Sequence, residues 1–110
     1  MESDQSLALR WAFKENNFVL RFHGLVEMRI EGLSVEDLSR AGAESEILEE
    51  YPDRAEGYTK LLLGRLTGRP IHLVVNVQEF HDDSSYPMAI VTVYEPESPF
   101  WRDERTRGRP

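Results

Sequence analysis

Gly68-Arg69-Pro70-Ile71-His72-Leu73-Val74-Val75-Asn76-Val77-Gln78 and, after a polar break, Met88-Ala89-Ile90-Val91-Thr92-Val93-Tyr94 are the stretches of this chain that decide its fold. Both are rich in β-branched residues, which pack well on a pleated surface. The break from His81 to Pro87 is shorter than the dozen or more residues of a parallel crossover, so the two runs pair as an antiparallel hairpin. Centred on residue 83, that hairpin places Leu73, Val75 and Val77 opposite Val93, Val91 and Ala89, one wholly apolar face. The other face carries His72, Val74, Asn76 and Gln78 opposite Tyr94, Thr92, Ile90 and Met88, and it is mixed.

Two further short apolar runs, Glu46 to Tyr51 and Thr59 to Leu66, are set off by Pro52-Asp53 and Thr67-Gly68-Arg69-Pro70. They complete a four-stranded antiparallel meander. If the turn at residues 67 to 70 continues the same alternation, Leu62 and Gly64 face the core and Arg65 lies beside His72. Leu61-Leu62-Leu63 gives no alternation to pin that register.

The front of the chain reads as helices. Leu7, Leu9, Trp11 and Phe13 recur at helical spacing within Ser6 to Glu15, and Phe22, Leu25, Val26 and Ile30 within Leu20 to Glu31. Gly32 is a natural stop, and Phe18 to Phe22 reads alternatively as a short strand. Ser34 followed by Glu36 and Asp37 is an N-cap signature, opening a third helix that runs to Ala41. The expected architecture is therefore α+β, with N-terminal helices packed on one face of a four-stranded antiparallel sheet.

A chain of 110 residues holds one domain, here residues 1–101, with Arg102 to Pro110 as an Arg-rich mobile tail. Without cysteine there are neither disulfides nor thiolate metal sites. The acidic start, Met1-Glu2-Ser3-Asp4, does not suit a secretory leader, and no apolar run approaches the ~18 residues of a membrane span. A cytoplasmic protein without membrane contact is expected. The net charge of -7 opposes RNA, whose affinity comes largely from phosphates meeting Lys and Arg. That acidity is uneven: residues 1 to 58 hold 13 acids against 6 bases, whereas residues 59 to 110 hold 7 of each.

Arg65, His72 and Tyr94, lined up across three strands, are the residue types of a metal-independent ribonuclease. A neutral imidazole takes the proton of a 2′-hydroxyl, a guanidinium offsets charge on the phosphorane, and a phenol orients the leaving oxygen. Each also has a structural reading, His72 as a ring bonded across the sheet. His23, early in the second helix, is either a packing residue or a second acid–base group. Arg69, Arg102, Arg105 and Arg107 are candidates for contact with RNA or a protein partner. His81-Asp82-Asp83 is no metal site, because three adjacent loop residues do not converge on one ion. Glu44, Glu46, Glu49 and Glu50 read as a solvated edge. There is no glycine-rich phosphate loop and no GxSxG, so no cofactor is expected. Leu61 to Leu63, as an outer strand, and Phe100-Trp101 are candidates for self-association.

The strings Glu31-Gly32-Leu33-Ser34-Val35-Glu36-Asp37, Gly68-Arg69-Pro70-Ile71-His72-Leu73-Val74-Val75 and Ile90-Val91-Thr92-Val93-Tyr94-Glu95-Pro96, with His23-Gly24 before them, resemble the domain-of-unknown-function family 4258 over about residues 18 to 101. The resemblance implies a fold like that of RelE-like toxins, whose exposed sheet face cuts RNA without a metal. It maps the family's helical His to His23, its turn Arg to Arg69, its strand His to His72 and its last-strand Tyr to Tyr94. Glu27 and Glu31 stand where the family has arginine, which weakens RNA binding. Two functional expectations follow: a non-catalytic domain that binds a protein or ligand, its partner antitoxin-like or a second copy, and an RNA-cleaving toxin-like enzyme.

Overall fold

The computed structural model describes residues 4–55, 57–83, 86–97 and 101–108. Among them the elements run α1 (Asp4–Lys14), β1 (Phe18–Leu20), α2 (Phe22–Ile30), α3 (Val35–Ala43), β2 (Glu46–Tyr51), β3 (Thr59–Leu66), β4 (Arg69–Asn76), α4 (Gln78–Asp82) and β5 (Met88–Tyr94). The class is α+β, with a mixed sheet of five strands in the order β1-β5-β4-β3-β2. The last four form the antiparallel meander, and β1 adds to β5 in parallel, with Leu20 opposite Ile90. The expected four-stranded, wholly antiparallel sheet is corrected accordingly. Three residues are too few to show a period, and β1 is held by the edge it covers, where the Arg21 N–H donates to the Ile90 carbonyl at 3.0 Å.

Helix α3 begins as its sequence dictates. Ser34 Oγ accepts from the Asp37 N–H at 3.1 Å while the Asp37 carboxylate accepts from the Ser34 N–H at 2.9 Å, a reciprocal cap. Leu38 and Ala41 of α3, Leu9, Ala12 and Phe13 of α1, and Met28 of α2 then pack on Leu62, Leu73, Val75, Ile90 and Val93 to make the core. Lys60, fully buried on this helical side, keeps its ammonium paired to Glu50 at 3.1 Å and Gln5 at 2.9 Å. Helix α4 interrupts the long hairpin and was not expected; the Asn76 carboxamide oxygen accepts from the Gln78 N–H at 3.1 Å and opens it.

The β4–β5 register matches expectation only at one end. His72 is opposite Tyr94 and Leu73 opposite Val93, but Val75 is opposite Ile90, which leaves Val91 as a bulge. The shift turns Met88 and Ile90 into the core, where simple alternation had them on the mixed face. Helix α2 lies directly on this kink: a Cβ at Gly24 would sit 2.7 Å from the Ile90 carbonyl oxygen, so the approach requires glycine. A second irregularity, between Ile47 and Glu49 in β2, brings Glu46, Glu49 and Tyr51 to one face, opposite Leu63, Leu61 and Thr59. No helix among the described residues is long and apolar enough to cross a membrane.

Candidate functional site

The sheet face away from the helices carries His72, Tyr94 and Arg65, as the alternation requires. Arg65 is opposite Pro70 and Leu63 is opposite His72, so the arginine lies two positions further along β3 than expected, on the same face. His23 does not join them. It is exposed in the first turn of α2, in the layer on the far side of the sheet. Arg69 goes elsewhere too, its guanidinium bridging Glu31 at 2.9 Å and Glu95 at 3.0 Å and so locking the end of α2 to the strands. The negative charge at Glu31 is thus spent inside the fold.

Residues 101–108 close the face that His72 occupies. Trp101 is buried with its ring 4.4 Å from the imidazole at an interplanar angle of 89°, an edge-to-face contact. The Arg107 guanidinium lies 4.7 Å from the Trp101 ring centroid and donates to Glu49 at 2.6 Å and to the Tyr51 hydroxyl at 2.7 Å. Arg105 pairs with Glu46, and Glu104 pairs with Arg65. Asp103 accepts from the Arg105 and Thr106 N–H groups, each at 2.8 Å, which turns the segment on itself and holds its carboxyl below the usual range. Arg102 is exposed. Sequence reasoning missed Glu46, Glu49, Tyr51, Trp101 and Glu104 as members of this face. Their signal was the excess of acids in β2 against the arginines beyond residue 101, two charge runs that meet only in the fold.

His72 itself is 0% exposed, and both ring nitrogens are occupied. The Glu104 carbonyl, which can only accept, lies 2.7 Å from Nε2, so that nitrogen carries the proton. Nδ1 then accepts from the Tyr94 hydroxyl at 3.2 Å. Burial dominates the electrostatics, pushing the imidazole pKa below its ordinary value and the Tyr94 phenol above its own. The arrangement is a neutral, fully bonded imidazole. Among the described residues no group of three or more His, Asp or Glu is placed to hold a metal. The side chains of His81 and Asp82, and all of Phe100, lie outside the described residues. Leu61 and Leu63 are buried and β3 is an inner strand, so neither supplies the apolar edge expected of them.

A pH dependence follows from this geometry. With the folded pKa below that of the unfolded chain, protons bind the unfolded state first, and stability rises with pH across that window. The contribution is complete above pH ~6.5 and is lost as pH falls from there toward the folded pKa, with a slope of at most about 1.4 kcal/mol per pH unit. Urea melts at pH 7.5 and 5.5 measure it; His72→Gln should flatten the difference, and an equal slope in that variant would refute the assignment.

Helices on one side, a mixed five-stranded sheet, and a closed polar face on the other define a small α+β domain. The chain belongs to the family described as Domain of unknown function (DUF4258), whose model matches residues 20–95. The match ends before the closing segment. No curated protein and no solved structure matches the chain.

Proposed function

We propose that this chain is a non-catalytic, protein-binding member of its family, working in the cytoplasm. The observation that carries the reading is His72, whose two nitrogens are both used inside the protein, so this imidazole is not free to act as a general base. The acidic balance of the front half points the same way, because an RNA interface needs an excess of cations. Its test is incubation of the full chain with RNA in EDTA, where intact RNA is the expected result.

A toxin-like, metal-independent endoribonuclease is the alternative, favoured by the common face of Arg65, His72 and Tyr94. It requires residues 101–108 to leave the sheet. The double variant Trp101→Ala, Arg107→Ala loosens that segment; RNA cleavage by it that is lost on adding His72→Gln, with the fold retained by circular dichroism, would replace the first reading with the second. Arg69 is then positioning rather than RNA-binding, since both its acid partners are internal.

A further inference from the structure

Helix α2 is apolar on two opposite sides. Gly24 and Met28, four apart, face the sheet, and Phe22, Val26 and Ile30, at the same spacing, face away from it. The outer three are 80%, 37% and 70% exposed. A helix apolar all round belongs in an interior, and here nothing within the described residues covers the outer stripe. Its borders are equally unpartnered: His23 and Glu27 on one side and Arg29 on the other make no side-chain hydrogen bond or ion pair with any described residue. Almost every candidate charge on the opposite sheet face is paired.

We propose that a second copy of this chain covers the stripe, with α2 packed antiparallel on its own symmetry mate about a two-fold axis at Val26. The proposal deepens the binding reading above by naming its partner. In an isologous contact the two helices present the same residues in reverse order. Ile30 then meets Phe22 of the mate, the larger ring against the smaller branched chain, and Val26 meets Val26 where the backbones come closest. Rotation about this axis keeps each flank on its own side. At 1.5 Å per residue, Glu27 falls about 3 Å along the axis from His23 of the mate, and Arg29 falls beside the mate's Phe22 ring. A carboxylate therefore meets an imidazole able to hydrogen-bond to it across the axis twice, and a cation meets an aromatic face twice. Locally the charge is small: residues 21–30 carry Arg21 and Arg29 against Glu27, one net positive charge per copy in a chain otherwise acidic, so like-charge repulsion across the contact is slight. A helix of nine residues makes a small interface, so the dimer is a reversible one, with a dissociation constant no tighter than about micromolar.

Sedimentation equilibrium on the full chain, up to about 0.5 mM protein, reads the result against that micromolar range. A monomer–dimer equilibrium is expected, with Phe22→Ser and Ile30→Glu each weakening it at least about tenfold at unchanged monomer melting temperature. The register has its own check. His23→Glu sets two carboxylates together across the axis and Glu27→Lys removes the imidazole's acceptor, so each alone should pair at least about tenfold more weakly than the parent, yet the two mixed should recover pairing. In the mixture the introduced ammonium of one chain meets the introduced carboxylate of the other, and the unaltered His23 meets the unaltered Glu27. A chain that stays monomeric throughout, or a dimer indifferent to Phe22→Ser and Ile30→Glu, overturns the proposal and assigns the stripe to a different protein or to none. Singly mutated chains that dimerise as tightly as the parent, or a mixture that does not recover pairing, overturn the two-fold geometry. EDTA-resistant RNA cleavage, by contrast, would end the non-catalytic reading whatever the oligomeric state.

Discussion

Replacing Gly64 with alanine should lower the thermal midpoint by about 12 °C or more, or leave the chain unfolded. The added Cβ would lie 2.3 Å from the Ala41 carbonyl oxygen and 2.8 Å from its carbon, distances at which backbone must move. Helix α3 is poorly placed to yield. Its start is fixed by the reciprocal Ser34–Asp37 cap, Leu38 is sealed in the core, and Ser39 Oγ donates to the Phe13 carbonyl at 2.6 Å, tying α3 to α1. Lifting one helix off β3 therefore opens the whole helical layer. A cost of about 3 kcal/mol is a large share of the roughly 5–15 kcal/mol that holds a domain of this size together. Thermal melting followed by circular dichroism is the measurement. A fall of under about 4 °C would mean that α3 and β3 are not held at this separation.

His72→Ala should cost about 3 kcal/mol, the second of the large effects. Truncation leaves a void beneath Trp101 and strips partners from two groups at once, the Glu104 carbonyl and the Tyr94 hydroxyl. His72→Gln, which keeps a donor and an acceptor, should recover part of the loss. An imidazole serving only chemistry at an open surface would be removed without effect on folding, so an unchanged urea midpoint for His72→Ala would contradict the closed face described above.

Much of this architecture was legible. The Ser34 cap follows from local chemistry alone, and the pairing of His72 with Tyr94 from strict alternation in two β-branched strands. Val91 defeats the same method, because a bulge flanked by apolar residues leaves the pattern equally apolar in either register. What selects the bulge is remote: α2 arriving at Gly24 on the Ile90 carbonyl. β1 is too short to declare itself beyond an alternative reading of Phe18 to Phe22. On the candidate face the strand residues are legible, whereas the segment that seals them is not. Ion pairs such as Arg107 with Glu49, 58 residues apart, obey no spacing rule. The outward turn of Phe22, Val26 and Ile30 is hidden for a simpler reason. Apolar residues at helical spacing read as the buried side, and in α2 the side that packs on the sheet is marked by a glycine and a methionine.

The stretch that covers the imidazole begins six residues past the end of the family-model match. Without that stretch the imidazole would lose both the Trp101 ring packed against it and the Glu104 carbonyl at Nε2. The anchoring of the ring at position 72 thus depends on a segment outside the matched framework, tied down by residues of the second strand that lie more than fifty positions earlier in the chain.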